Sequence, residues 1–154
     1  MQQAETLVEL LKARGLTCAT AESCTGGGVG AAITGVPGSS EVFLGGAITY
    51  SNAVKHSVLG VSEEALERHG AVSGEVALEM AKGAMRLFAS DLAVSITGIA
   101  GPGGGSDDKP VGLVWFGIAS ARGARCEKAI FPGGRDDVRR AAVIHALGML
   151  TVEA

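Results

Sequence analysis

The segment Thr20-Ala21-Glu22-Ser23-Cys24-Thr25-Gly26-Gly27-Gly28 constrains the fold of this chain more than any other. The apolar residues before it, 16–21, predict a short buried strand, and residues 29–34 continue as an apolar helical run. Small hydroxyl residues and glycines therefore lie where a strand turns into a helix. Because a helix start offers unpaired backbone N–H groups and the positive end of the helix dipole, this junction suits an anion or an oxyanion.

A purely structural role would explain the same residues. Ser23 and Thr25 belong to the residue types that cap helices, and glycines are common in tight turns. On local sequence alone, both interpretations of the junction stay open.

Length and composition limit the class of protein. The 154 residues suit one domain with a buried core, which we expect to span residues 1–154, and a hydrophobic content of 47% argues against disorder. A net charge of −3 without a basic run argues against nucleic acid as a partner. The short apolar runs and the absence of a signal-peptide pattern predict no membrane association. Cys18, Cys24 and Cys126 form neither a zinc pattern nor a disulfide framework, which favours the reducing cytoplasm.

Apolar periodicity predicts the order of the helices and strands. Helices alternate with strands first, and a hairpin precedes a last helix, which predicts an α/β fold: a three-layer α/β/α sandwich with a mixed, mostly parallel sheet. The predicted elements are a helix ended by Gly15, strands at 16–21, 44–50 and 92–97, helices begun by Ser51, Ser62 and Ser73, a hairpin of 112–121 and 125–131, and a final helix that buries Val138, Ala142, Leu147 and Leu150. The helix after Ser73 is expected to turn Val76, Met80, Ala84 and Leu87 toward the core.

Polar side chains lie at the ends of three predicted strands, where ligands of such sheets usually bind. They are Ser23, Tyr50 and Thr97, and Lys55 follows Tyr50 by about one helical turn. A serine needs a base to become a strong nucleophile, and none of the 3 histidines lies in a recognisable triad order. Lysine can be that base when desolvation lowers its pKa, which makes Ser23 and Lys55 a candidate pair. The alternative is that Lys55 is a solvated side chain at a helix start.

Other chemistries find less support in the sequence. There is no histidine motif typical of zinc enzymes and no Walker A motif. The pattern Gly26-x-Gly28-x-x-Ala31 resembles a dinucleotide-binding fingerprint, but the next strand ends without the acidic residue that would bind a ribose. A binding site for a dinucleotide is therefore only weakly indicated.

Five motifs, taken together and in order, resemble one known family. They identify the chain as similar to the CinA C-terminal domain family, which includes nicotinamide mononucleotide deamidases, and the similarity runs from about Thr20 to Leu147. The motifs are Thr20 to Gly27; Thr49-Tyr50-Ser51-Asn52 with Lys55; Gly70-Ala71-Val72-Ser73; Gly98-Ile99-Ala100-Gly101-Pro102 with Lys109-Pro110-Val111-Gly112; and Phe131-Pro132-Gly133 with Arg135 and Arg139.

This resemblance implies a reaction, in which nicotinamide mononucleotide and water give nicotinate mononucleotide and ammonia. It also implies that no metal or other cofactor takes part, that the partner is a small-molecule nucleotide, and that the chain forms a homodimer or a higher homo-oligomer with a role in pyridine nucleotide recycling. By the same resemblance Ser23 is the nucleophile, Lys55 acts with it, Thr97 is the family's hydroxyl residue before the Gly98 loop, and Arg135 or Arg139 contacts the substrate phosphate.

Elementary chemistry extends this expectation to neighbouring residues. Backbone N–H groups of Thr25, Gly26 and Gly27 are expected to hold the oxyanion, and Tyr50 and Thr97 to orient Lys55 or pass a proton to the departing ammonia.

The glycine-rich loop of residues 98–105 is expected to approach the ribose phosphate closely through Gly98, Gly101 and Gly103, with an arginine supplying positive charge. Structural alternatives exist here too, since Tyr50 can cover the core and both arginines can be solvated. A catalytically inactive nucleotide-binding or regulatory module is the alternative to an amidohydrolase.

Overall fold

The computed structural model describes residues 2–154, which form six α-helices around one five-stranded sheet. The helices are α1 (Gln2–Arg14), α2 (Gly28–Thr34), α3 (Asn52–Leu59), α4 (Glu63–His69), α5 (Gly74–Phe88) and α6 (Arg135–Glu153). The strands are β1 (Cys18–Glu22), β2 (Phe43–Ile48), β3 (Leu92–Gly98), β4 (Leu113–Ser120) and β5 (Gly123–Ile130), and a short 3₁₀ turn, Ser39–Glu41, precedes β2.

Serine side chains begin three consecutive helices, as the sequence predicts. The hydroxyls of Ser51, Ser62 and Ser73 accept hydrogen bonds from backbone N–H groups three residues ahead, at the starts of α3, α4 and α5. Such caps satisfy N–H groups that a helix cannot pair internally, and each stabilises a helix by about 1 kcal/mol. The cap at Ser51 matters most for function, because α3 carries Lys55.

The sheet has the strand order β2-β1-β3-β4-β5. Strand β1 runs parallel to both of its neighbours, β2 and β3, whereas β4 and β5 are antiparallel to their neighbours. The predicted mixed sheet with a parallel core is therefore confirmed. Since parallel strands end at the same edge, the carboxyl ends of β1, β2 and β3 lie side by side there.

Two helical layers cover the two faces of the sheet. One face, with Val94 and Ile96, packs against α1, α2 and α6, and the other face, with Ala93, packs against α4, α5 and the end of α3. Ser95 also points to the α5 side, where its hydroxyl donates to the carbonyl of Ala77 at 2.6 Å. Burial of these two apolar layers supplies the main driving force for folding, and the predicted three-layer α/β/α sandwich is confirmed.

Some element boundaries and one core residue differ from the prediction. Strand β1 extends to Glu22, and β2 ends at Ile48, so that Tyr50 lies in the connection to α3. Leu87 was predicted to face the core but is 51% exposed, which makes that prediction wrong. The reason is helical geometry: Phe88, four residues after Ala84, takes the inward position and packs against the core on that face.

Helix α5 approaches α3 closely at one point. A Cβ atom added to Gly83 would fall on the backbone carbonyl of Leu59, closer than real Cβ contacts allow. Since Leu59 ends the helix that carries Lys55, this contact helps to fix the position of Lys55 relative to the sheet.

We predict that Gly83→Ala destabilises the protein by about 1–3 kcal/mol, the usual cost of overpacking. In an exposed helix the same change stabilises, because glycine costs about 1 kcal/mol relative to alanine. Gly148, in the middle of α6, has nothing within 4 Å of an added Cβ and provides the matched control. Urea unfolding should show opposite signs for the two variants, and equal effects would mean that the α3–α5 contact is not tight.

Candidate active site

Ser23 is the first residue after β1, and the sheet holds it in place. Its backbone N–H donates to the carbonyl of Ile96 on β3 at 2.9 Å. Along β1, Ala19 and Ala21 face the α5 layer, so strand alternation turns the Ser23 side chain toward the same layer. The register Glu22↔Ile48 and Glu22↔Ile96 brings Ser23 between the ends of β2 and β3.

Lys55 reaches Ser23 from the first turn of α3. Its side chain is among the most deeply buried of the protein, and the residue is 1% exposed. The Lys55 Nζ lies 3.0 Å from Ser23 Oγ, 2.9 Å from the carbonyl oxygen of Thr49 and 3.1 Å from that of Tyr50. The interpretation of Lys55 as a solvated side chain is therefore wrong.

Burial favours the neutral form of this lysine. Removal from water lowers the pKa of Lys55 below its ordinary value of 10.5. Within residues 2–154 no carboxylate forms an ion pair with Lys55 that would offset this effect. A neutral amine has two N–H groups, which match the two carbonyl oxygens, and one lone pair, which is left to accept the Ser23 hydroxyl proton. The contacts of Nζ thus fit a base next to a nucleophile.

Neither the neighbouring cysteine nor a histidine offers a competing arrangement. Burial raises the pKa of the Cys24 thiol to about 11, so it stays protonated at neutral pH and is a poor nucleophile. The His56 ring contacts the carbonyl of Val61, and the His145 ring contacts the Glu127 carboxylate, both at 2.7 Å. No histidine hydrogen-bonds to Ser23 in the part of the chain that the structure describes.

Glu22 is a site residue that the sequence analysis missed. Its carboxylate is buried, with 1% exposure, and accepts hydrogen bonds from the Thr25 hydroxyl at 2.7 Å and from the N–H groups of Val29 at 3.0 Å and Gly30 at 2.8 Å. The expectation that the start of α2 offers free N–H groups to an anion is therefore wrong for these two groups. An acidic residue at the end of a buried strand, just before a helix, is the signal that could have revealed it.

The residues after Ser23 form a tight turn in which some N–H groups remain open. The Gly26 N–H donates to the Ser23 carbonyl at 3.1 Å and is not free for an oxyanion. The N–H groups of Thr25 and Gly27 have no acceptor within residues 2–154. Gly27, with φ of 95°, is the residue at the N-cap of α2 and makes no side-chain cap, so the helix-cap interpretation of Ser23 and Thr25 is wrong.

The two candidate phosphate arginines, Arg135 and Arg139, both lie at the start of α6. Arg139 donates from Nε to the Cys24 carbonyl at 3.1 Å and from Nη2 to the Thr25 carbonyl at 3.2 Å. Arg135 donates to the Gly101 carbonyl at 2.8 Å, and its Nη2 lies 3.4 Å from the Tyr50 hydroxyl. Arg135 therefore joins the glycine loop to the edge of the site near Tyr50.

Tyr50 and Thr97 do not contact Lys55 in the way that was expected. Tyr50 is 62% exposed, so it does not cover the core, and it is its backbone carbonyl, not its phenol, that holds Lys55. The Thr97 hydroxyl donates to the carbonyl of Ala71 at 2.8 Å and thereby ties β3 to the segment before α5. Neither hydroxyl hydrogen-bonds to the lysine amine among the described residues.

The glycines of the 98–105 loop differ in what they do. A Cβ on Gly98 would collide with the backbone of Leu113, so close packing of the chain explains this glycine. Gly101 has φ of 81° and offers its carbonyl to Arg135. Gly103 has open space around it, which leaves room for a ligand.

Other surfaces add little to this site. A groove of about 530 Å³ lies on the α6 side of Thr25, between Gly28 and Ile144, but Ser23 and Lys55 do not line it. Across residues 2–154, no cluster of three or more His, Cys, Asp and Glu side chains could hold a metal ion. No helix in the same range combines the length and the apolar character needed to cross a membrane.

Comparisons with known proteins place the chain in a family. Residues 1–153 match the CinA C-terminal domain. The chain belongs to the CinA C-terminal domain family. It is 54% identical to the nicotinamide-nucleotide amidohydrolase PncC of Escherichia coli K12 over 97% of this chain and 92% of that protein. A CinA-like protein of Synechococcus sp. RCC307 is 49% identical over 97% of this chain but only 36% of its own length.

Solved structures agree with this membership. The crystal structure of the competence/damage inducible protein CihA from Agrobacterium tumefaciens superposes with a TM-score of 0.96 at 42% sequence identity, and the match covers 98% of this chain and 93% of that one. This CinA-family chain therefore shares its three-layer fold with proteins solved by experiment.

Proposed function

We propose that this chain is an amidohydrolase that converts nicotinamide mononucleotide and water to nicotinate mononucleotide and ammonia, with Ser23 as nucleophile and Lys55 as base. The observation that carries the mechanism is the 3.0 Å hydrogen bond between Lys55 Nζ and Ser23 Oγ inside the protein. The name of the Escherichia coli relative, 54% identical over nearly its whole length, supports an amidase and this class of substrate.

Acylation begins when Ser23 Oγ attacks the carboxamide carbon and its proton passes to the neutral Lys55 amine. The tetrahedral intermediate carries negative charge on the former carbonyl oxygen. Lys55, now an ammonium, gives a proton to the departing nitrogen, the C–N bond breaks, and ammonia leaves. An ester between Ser23 and the nicotinate group remains.

Deacylation repeats the same proton transfers with water. Lys55 takes a proton from a water molecule as its oxygen attacks the ester carbon. The C–O bond to Ser23 then breaks, the serine oxygen regains a proton from Lys55, and nicotinate mononucleotide leaves. Throughout both halves the carbonyls of Thr49 and Tyr50 keep the amine in place, whichever protonation state it has.

The N–H groups of Thr25 and Gly27 supply the candidate oxyanion donors, because they have no acceptor within residues 2–154. Loss of one such donor costs about 3–4 kcal/mol of transition-state stabilisation in well-studied hydrolases. Arg135 and the open backbone at Gly103 are the candidates for contact with the ribose phosphate. The proposed reaction uses no cofactor. Tyr50 is a positioning residue, because its backbone carbonyl holds the Lys55 amine.

A nucleotide-binding module without catalysis is the weaker alternative. Binding alone gives no reason to bury an unpaired lysine against a serine hydroxyl, since this burial costs folding free energy.

The reaction would supply nicotinate mononucleotide from a degradation product of pyridine nucleotides, which fits a role in their recycling in the cytoplasm. Because the site draws on residues from Glu22 to Arg139, we treat the chain as one catalytic domain.

We predict that Ser23→Ala and Lys55→Arg each lower ammonia release from nicotinamide mononucleotide by at least about a thousandfold. Ser23→Ala removes the nucleophile, and arginine keeps the charge but cannot accept a proton. In the wild type, kcat/KM should rise with pH as Lys55 loses its proton, with an inflection below 10.5, because burial lowers the pKa of Lys55.

Ser57→Ala, an exposed hydroxyl on α3 that faces away from Lys55, serves as the control and should keep full activity. An active Lys55→Arg enzyme would refute the lysine as base. A wild-type protein that binds the nucleotide but releases no ammonia would favour the noncatalytic alternative.

We also propose that the chain forms a homo-oligomer through the free edge of β2. This strand, Phe43–Ile48, contains no charged residue, and Leu44 and Ile48 are 46% and 58% exposed. The opposite edge, β5, carries charges, as edge strands that avoid pairing usually do. A second copy of β2 would satisfy the unpaired backbone groups and cover the apolar side chains.

We predict that Leu44→Lys lowers the mass of the assembled protein, measured by size-exclusion chromatography with light scattering, because a charge would be buried at the contact. Ile130→Lys, on the other edge of the sheet, is the matched control and should leave the mass unchanged, since Ile130 is also exposed, at 62%. A monomeric wild type, or an unchanged mass for Leu44→Lys, would refute the β2 contact.

A further inference from the structure

We infer that Arg139 is a positioning residue that aims and polarises the Thr25 N–H as the oxyanion donor, rather than a ligand of the substrate phosphate. This inference rests on the proposed amidohydrolase function and assigns a role to the part of the site that faces away from Lys55. It follows from the contacts of the arginine, the planarity of the peptide bond and the burial of Thr25.

The guanidinium of Arg139 is already occupied by the protein. Its Nε and Nη2 donate to the carbonyls of two consecutive residues, Cys24 and Thr25, at 3.1 and 3.2 Å. An arginine that binds phosphate in a bidentate manner would direct these two N–H groups to the phosphate oxygens instead. Arg139 is also half-buried, whereas Arg135 is exposed, so Arg135 is the better phosphate ligand of the two.

The peptide bond transmits the position of the carbonyl to the next N–H group. In a planar trans peptide the C=O of Cys24 and the N–H of Thr25 point in opposite directions. Arg139 comes from α6, whose layer covers one face of the sheet, while α3 and the Ser23 hydroxyl belong to the other. A carbonyl that points to α6 therefore directs the Thr25 N–H toward the side where Ser23 and Lys55 meet.

The Thr25 N–H has no partner although its residue is buried. Thr25 is 1% exposed, and no acceptor for its N–H lies within residues 2–154. Buried N–H groups are almost always paired, so this group is suited to an acceptor that the substrate brings. Hydrogen bonds to both carbonyls of the turn polarise its peptides and strengthen the N–H as a donor. The Glu22 carboxylate fixes the same residue through the Thr25 hydroxyl.

The test separates positioning from phosphate binding through the kinetic constants. Arg139→Gln should lower kcat for nicotinamide mononucleotide by about ten- to several hundredfold, up to the effect of a lost oxyanion donor, with KM changed less than about twofold. The kcat of Arg139→Lys should lie between those of the wild type and Arg139→Gln, because the lysine ammonium can still donate to one of the two carbonyls. This variant also provides the test if Arg139→Gln does not fold. Arg135→Gln should instead raise KM.

A second readout uses a mononucleotide that carries an aldehyde in place of the carboxamide. Its adduct with Ser23 forms the oxyanion, so its affinity should fall in Arg139→Gln by about the same factor as kcat/KM, while the affinity for the product nicotinate mononucleotide stays constant. Arg140→Gln, an exposed charge on the same helix, is the control for loss of positive charge.

The inference fails if Arg139→Gln raises KM at constant kcat, or loses product and aldehyde affinity equally, since both outcomes indicate a phosphate ligand. It also fails if Arg139→Gln behaves as the wild type does. Failure of the proposed function is a separate result, because it appears as absence of ammonia release by the wild-type protein.

Discussion

The hydrogen bonds of one buried amine, Lys55 Nζ, determine how the rest of this site is arranged. Burying a lysine without a carboxylate partner costs free energy, and the hydrogen-bond partners of Lys55 Nζ among the described residues are two backbone carbonyls and one serine hydroxyl. Below pH 10.5 the unfolded chain binds a proton at this residue that the folded chain disfavours, because the folded pKa is lowered. The cost of Lys55 to folding stability therefore grows as the pH falls from 10.5 toward the folded pKa. The protein therefore loses folding free energy at the residue that the proposed mechanism uses as a base.

The parallel part of the sheet is what makes this arrangement possible. Strands β1, β2 and β3 end at one edge, so that Ser23, the carbonyl of Thr49 and the N-terminal turn of α3 meet there without a long loop. The Thr49 hydroxyl is buried and has no hydrogen-bond partner among the described residues, a rare state for a polar group in a folded protein. Two charged residues hold the turn that follows Ser23. Glu22 accepts a hydrogen bond from the Thr25 hydroxyl, and Arg139 donates to the Cys24 carbonyl. The Ser23 hydroxyl thus lies between the buried Lys55 amine and a turn held by Glu22 and Arg139.

The sequence predicted much of the fold because the signals were local. Apolar periodicity, three capping serines and the order of strands and helices were enough for the three-layer architecture and for the sheet edge near which Ser23 and Tyr50 lie, although Tyr50 follows the end of β2. The failures have physical reasons. Leu87 differs from Phe88 by only one helical step, and apolar character alone does not decide which of the two faces inward. Glu22 is charged, so its burial follows only from three donors that come together in the folded chain. The contacts of Arg139 and Thr97 span 115 and 26 residues, respectively, and local patterns carry no information about them.

The central claim is that the fold favours the neutral, proton-accepting form of Lys55, and the ionisation of this amine is directly measurable. In protein labelled with ¹³C at lysine Cε, the Lys55 resonance, assigned by its loss in Lys55→Arg, can be followed by NMR as the pH is raised from about 6. The account predicts a titration below 10.5, because burial lowers the pKa of this amine. A Lys55 resonance that titrates at or above 10.5 would contradict it.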